Sequence, residues 1–169
     1  MFKRILIPTD GSPHAEQAVA VGCELAKRFE SRLIFLHVLM HTAKADEIAA
    51  MPGVSEELAE QIRQSTMVPA GTVVGSPPIT VIPPGILKDI GEGILQRAEN
   101  TAAQTDIPGS KLKLKTGDPA RCIVETAAEE EADAIVMGRR GLNRLESLIQ
   151  GSTSERVGRT AECTFVTVH

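Results

Sequence analysis

The chain has 169 residues, 42% hydrophobic and 24% charged, with a formal net charge of −4. These values suit one domain with a sizeable core and disfavour a protein that grips duplex phosphates along a basic face. Trp and Tyr are absent and only four Phe occur, too few rings to stack the bases of a single strand, so no nucleic-acid partner is expected.

The apolar run after Lys3-Arg4 ends at Pro8, far short of the roughly 7–15 residues of a secretion signal. Residues 64–87 carry no charge, but Pro69, Pro77, Pro78, Pro83 and Pro84 interrupt them, so no membrane span is expected. Cys23, Cys122 and Cys163 are odd in number and widely spaced, which fits reduced thiols in a cytoplasmic protein.

Ile5-Leu6-Ile7 followed by Pro8-Thr9-Asp10-Gly11-Ser12-Pro13 reads as a buried strand and a turn. A helix then starts with Ser12 as N-cap and Pro13 at the first position, and runs to Phe29 with Ala15, Ala18, Val19, Gly22, Leu25 and Ala26 at helical spacing. Arg32 to Leu39 is nearly continuously apolar, the mark of a parallel strand covered on both faces. His37 within it reads as a partly buried, hydrogen-bonded side chain, and His14 as a solvated one.

Residues 41–85 form a Pro/Gly-rich insertion holding six of the ten prolines. Within it Ser55-Glu56-Glu57-Leu58 looks like a helix start running to about Met67, and the rest is equally open to a loop or an edge hairpin. Ile86 to Ala103 reads as a helix. Lys111 to Thr116 alternates Lys with Leu, as a protected edge strand does. Gly117-Asp118-Pro119 caps a helix to about Glu131, with Asp118 as a cap rather than a catalytic acid. Ala134 to Met137 is a buried strand, Ser152 opens a helix, and Cys163 to Val168 is a last strand. Strands alternating with helices predict an open parallel α/β sheet, helices on both faces.

The strongest candidate site is Gly138-Arg139-Arg140-Gly141 followed by Gly151-Ser152-Thr153. It begins where a buried strand ends and finishes at a helix start. The glycines allow close backbone approach, the helix start offers free N–H groups to an anion, and Arg139, Arg140 and Arg144 suit phosphate. The same residues also fit a plain loop in which Ser152 caps its helix and the arginines are solvated. Pro8-Thr9-Asp10-Gly11-Ser12 ends another strand. If the two strands are neighbours, the two loops face each other across a crevice, where open α/β sheets bind ligands. Asp10 would then accept hydrogen bonds from ribose or adenine, or would simply share the capping of the first helix with Ser12.

The Gly-x2-Gly-x9-Gly-Ser spacing, the opening Ile5 to Ser12, the Gly117-Asp118-Pro119-Ala120 turn and the stretches Ala134 to Gly138 and Gly151 to Val157 together resemble the universal stress protein family. The likeness covers nearly the whole chain except 41–85. It implies one domain over 1–169, a five-stranded Rossmann-like sheet of order 3-2-1-4-5, and bound ATP, or AMP or ADP, with Mg2+ or Mn2+ carried on the phosphates. By that resemblance Pro8, Thr9 and Asp10 line the adenine and ribose, and Val38 offers its backbone to the adenine edge. Met137, Gly138, Arg140 and Gly141 wrap ribose and phosphates, and Gly151, Ser152, Thr153 and Ser154 hold phosphate oxygens. Unlike many family chains, this one has Glu162 and Thr164, not Pro, around Cys163, and carries an acid, Glu146, in the glycine loop.

The expected function is nucleotide-dependent stress signalling through an as yet unnamed protein partner, with at most slow hydrolysis. There is no GxxxxGK[ST], no dinucleotide fingerprint after a strand, no nucleophile elbow and no HExxH. The alternative is a nucleotide-independent interaction module that uses the insertion. Cys163 to Val168 lacks Lys and Pro, so a homodimer through that strand is expected on either reading.

Overall fold

The computed structural model describes residues 1–39, 49, 54–64, 84–105, 107, 109–139, 141 and 152–169. In chain order the elements are β1 (Arg4–Pro8), α1 (Pro13–Phe29), β2 (Arg32–Leu39), α2 (Glu56–Gln64), α3 (Pro84–Ala103), β3 (Lys111–Thr116), α4 (Pro119–Glu129), β4 (Ala134–Gly138), α5 (Ser152–Thr160) and β5 (Thr164–Val168). The strands form one five-stranded sheet of order β3-β2-β1-β4-β5, with every pair parallel. Most of the insertion lies outside the described residues. So do the end of its expected helix, Arg140, Arg144, Glu146, Gly151 and the side chain of Ser152.

α1 begins where Ser12, in extended conformation, accepts a hydrogen bond from the Ala15 N–H at 3.3 Å. Pro13 fits the first helical position because its missing N–H would have had no helical partner. Glu16 near the start and Lys27 and Arg28 near the end complement the helix dipole. The helix stops at Glu30, whose φ of 54° puts it in the left-handed region while its N–H donates to the Ala26 carbonyl.

Alternation along the strands divides the core into two layers. Ile5, Ile7, Leu33, Phe35 and Val136 pack under α1 and α3 against Ala18, Val19, Cys23, Leu95 and Ala98. Leu6, Ile34, Leu36, Ile135 and Met137 pack on the other face against Ile123 and Ala127 of α4 and Val157 of α5. Each such aliphatic chain taken out of water contributes about 1.5–3 kcal/mol, which is why the central strands are apolar on both faces. α1 lies close to the sheet at Gly22, where a Cβ would collide with the Ile7 side chain. A smaller third cluster joins Ile62 of α2 to Ile90 and Ile94 of α3. The described part of the insertion therefore rests on a helix of the main fold.

The edge strand β3 turns its lysines toward the end of α4, where Lys111 and Lys113 meet Glu130 and Lys115 meets Glu129. Helix α3 starts at Pro84, two residues before the sequence reading placed it. α4 ends at Glu129 rather than near Glu131, because Glu131 adopts a φ of 48°. β5 starts at Thr164, one residue later than expected.

Candidate functional site

The sheet order puts β1 beside β4, so the connections that leave their carboxyl ends diverge on either side of a switch point. The β1–α1 turn is braced at every residue from Thr9 to Ser12. The Thr9 N–H donates to the Leu36 carbonyl at 2.9 Å. The Gly11 N–H donates to Thr9 Oγ1 at 3.3 Å, and the Ser12 N–H donates to Asp10 Oδ1 at 3.0 Å. Gly11 has a φ of 75°, the left-handed conformation that favours glycine.

The two loops meet at Asp10. A Cβ built on Gly141 would stand 2.5 Å from Asp10 Oδ2. Only a hydrogen at that position lets the chain after β4 pass this close to the carboxylate. One residue pair further in, a Cβ on Gly138 would stand 2.8 Å from both the carbonyl carbon and oxygen of His14 and 3.0 Å from the Ala15 nitrogen. The end of β4 thus lies directly against the first turn of α1.

α5 is tied to the same place, since Ser154 Oγ donates to the Arg139 carbonyl at 3.0 Å. Ser154 is buried, and its hydroxyl fastens the helix start to the loop. Arg139 points away along the edge, where its guanidinium donates to His169 Nδ1 at 3.1 Å. It therefore does not supply crevice charge as the sequence reading supposed. Thr153 is half-buried in the first turn of α5. Pro8 pairs with Leu36 in the β1–β2 register. Met137 and the half-buried Val38 both lie on the α4 and α5 side of the sheet. The structure thus brings Asp10, Gly138, Gly141 and the start of α5 together, with Pro8, Val38 and Met137 at the neighbouring strand ends.

A cleft of about 350 Å³ opens on the other side of the turn, between α1 and α3, and Thr9, Gly11, Glu16, Ile94, Arg97 and Thr101 are among its lining residues. Among the described residues no group of three His, Cys, Asp or Glu side chains stands together to hold a metal ion. No described helix is long and apolar enough to cross a membrane.

The sequence predicts a partly buried, hydrogen-bonded His37; the structure buries it more fully and supplies the partner. The ring is 4% exposed, and Nδ1 lies 2.8 Å from the Thr9 carbonyl oxygen. The signal was an imidazole in an otherwise apolar strand, which must find a hydrogen bond inside. Burial pushes its pKa below the ordinary 6.5, against the opposing pull of the Thr9 bond and the Asp10 charge. Asp118 is the helix cap that was expected, accepting from the Arg121 N–H at 2.9 Å. The added bidentate pair with Arg156, at 2.8 and 2.9 Å, was not foreseen. His14 is half-buried rather than solvated.

Residues 1–169 match the model of the universal stress protein family. A universal stress protein of Thermus aquaticus is 31% identical over 172 residues, covering 99% of each chain. The stress response protein NhaX of Bacillus subtilis is 30% identical over 155 residues, 91% of this chain and 90% of that one. Among solved structures, a universal stress protein in complex with cAMP superposes with a TM-score of 0.64 at 20% identity, over 99% of this chain and 97% of that one. One from Archaeoglobus fulgidus in complex with dAMP gives 0.57 at 15% identity, over 100% and 98%. The strand order, the glycine spacing and these matches agree that the chain belongs to the universal stress protein family.

Proposed function

We propose that this chain binds an adenine nucleotide in the crevice between the β1–α1 turn and the chain leaving β4, and that ATP occupancy changes the surface it offers to a protein partner. The observation that carries the proposal is the closeness of Asp10 Oδ2 to Gly141, 2.5 Å from where a Cβ on that glycine would stand. It puts a carboxylate acceptor for ribose or adenine beside the glycine loop, and the Ser154 tie puts helix N–H donors at the other end of that loop. Solved members of this fold hold cAMP or dAMP, which is a property of those proteins and a guide to what the fold accommodates. Pro8, Thr9 and Val38 would border the base. Met137, Gly138, Arg140 and Gly141 would follow the ribose and phosphates, with Gly151, Ser152, Thr153 and Ser154 at the phosphate end. A divalent ion, Mg2+ or Mn2+, would sit on phosphate oxygens. Asp10, held by the Ser12 N–H, is suited to orient a ligand. The reading is therefore of occupancy with little turnover, since hydrolysis also needs a positioned water.

Binding of labelled ATP tests this directly. The wild type should retain nucleotide, visible as adenine absorbance because the chain has no Trp or Tyr. Gly141→Val places bulk against Asp10 and should abolish binding. A wild-type protein that takes up no adenine nucleotide at millimolar concentration would sink the proposal.

We further propose a homodimer through β5. Thr164 N–H donates toward β4 and Val168 C=O accepts from it, so by strand alternation the N–H groups of Phe165 and Thr167 point to the open edge. Phe165 itself packs back on Gly158 of α5, which makes it a poor probe. Thr167→Pro removes an outward donor while leaving the β4 ladder whole. It should shift the protein from dimer to monomer in sedimentation; an unchanged mass would count against this edge.

A further inference from the structure

We propose that His37 is a positioning residue of the nucleotide crevice: its Nδ1–H holds the Thr9 carbonyl and so fixes the Thr9–Asp10 peptide. The inference rests on the binding reading above and goes one layer deeper into it. A carbonyl only accepts, so at 2.8 Å the imidazole must carry its proton on Nδ1. A trans peptide is planar, with C=O and N–H pointing in opposite directions. Holding the Thr9 carbonyl toward β2 therefore aims the Asp10 N–H away from it and sets the plane from which the Asp10 side chain leaves. That side chain accepts from the Ser12 N–H and stands 2.5 Å from where a Cβ on Gly141 would be.

Two side-chain braces of the turn are local, Thr9 to Gly11 and Asp10 to Ser12. His37 acts from 28 residues away on β2, so it couples the turn to the rigid part of the sheet. The ring has little room to move. A Cβ on Gly91 of α3 would stand 2.9 Å from His37 Cδ2 and 2.7 Å from Leu114 Cδ1. α3 can lie this close to the ring only because residue 91 has no side chain. Around the imidazole, α3 presents Gly91 and β3 presents Leu114. Among the described residues, the charge that acts on it is that of Asp10. An apolar residue would fill this position among Leu33 and Phe35 at no polar cost, and the Thr9 bond gives the imidazole a reason to be there.

The test compares ATP affinity in the wild type, His37→Leu, His37→Asn and His37→Gln, each confirmed folded by circular dichroism. Asn carries an amide N–H2 near the place of Nδ1, and Gln carries one near the place of Nε2. The loss of one buried hydrogen bond should weaken ATP binding by about five- to tenfold in the Leu variant. Asn should restore most of it and Gln should not. The amide resonances of Asp10 and Gly11, recorded without nucleotide, give a second readout: displaced in Leu and Gln, returned in Asn. Wild-type affinity in the Leu variant, or equal losses in Leu and Asn, would overturn the positioning role. If the wild type binds no nucleotide, the binding reading falls, and the ligand-free resonances still decide whether His37 sets the turn.

Discussion

Two turns at the carboxyl ends of strands carry an aspartate shortly before a proline-led helix, and the two carboxylates are used differently. In Gly117-Asp118-Pro119 the aspartate is itself the N-cap of α4, and Arg156 of α5 grips both its oxygens. In Asp10-Gly11-Ser12-Pro13 the serine caps α1, so Asp10 is relieved of that duty and reaches the chain beyond β4. A helix start needs only one side-chain cap on its first turn. Asp10, two residues ahead of the cap, instead accepts from the Ser12 N–H and stands against Gly141.

The comparison breaks most visibly at the glycines that allow the first turn to meet β4. Gly138→Ala places a methyl group 2.8 Å from backbone atoms of His14, which cannot swing aside as a side chain can. α1 must shift, at a cost of about 1–3 kcal/mol for an overpacked core, and the thermal midpoint should fall together with nucleotide binding. Among the described residues, Gly141→Val meets a side-chain carboxylate, at an exposed position. It should lose binding with the midpoint nearly unchanged. Equal thermal losses in both variants would mean that the Asp10–Gly141 approach is part of the fold's stability rather than of a site.

A smaller effect separates the two aspartates. Asp10→Ala should weaken ATP binding by about tenfold, the cost of a charged acceptor removed, and leave the melting temperature close to wild type because Ser12 still caps α1. Asp118→Ala should lower the melting temperature by a few degrees through loss of the cap and leave ATP affinity alone. Titration by calorimetry and thermal denaturation on the same two proteins checks both halves. A nucleotide defect in Asp118→Ala would show that the turns are not functionally distinct.

Much of this contrast is legible in the sequence. Ser12-Pro13 and Asp118-Pro119 announce their caps because capping is local chemistry, decided within four residues. The sheet order followed from the family likeness, and the apolar runs at Ile5 to Ile7 and Ala134 to Met137 already required strands covered on both faces. What was not legible depends on distant partners. Nothing near Arg139 in sequence tells that it turns to His169, or that Ser154 gives its hydroxyl to a carbonyl 15 residues away. The bidentate Asp118–Arg156 pair spans 38 residues, and pattern reading sees only periods of two and 3.6. His37 lay between these cases: its burial could be inferred from the strand, its acceptor only from the sheet register.

The smallest effect concerns pH, and it separates the two turns by window. Burial holds the folded-state pKa of His37 below the 6.5 of the free ring. As pH drops below about 6.5 the unfolded chain takes up the proton first and is favoured by it. The contribution of the neutral imidazole is therefore whole above that pH and declines as pH falls toward the folded-state pKa. For Asp118, Arg156 and the Arg121 N–H hold the carboxyl below its ordinary 3.8. Its contribution is present above that value and is lost only as pH falls through the lower folded-state pKa. Denaturant unfolding of the wild type followed from about pH 8 downward should thus lose stability in two separate stretches. His37→Asn has nothing to titrate at that position and should remove the upper slope while keeping the acid limb. Asp118→Asn should blunt the acid limb and keep the upper slope. An upper slope that survives in His37→Asn would mean that the imidazole bracing the Asp10 turn is not what the proton reaches.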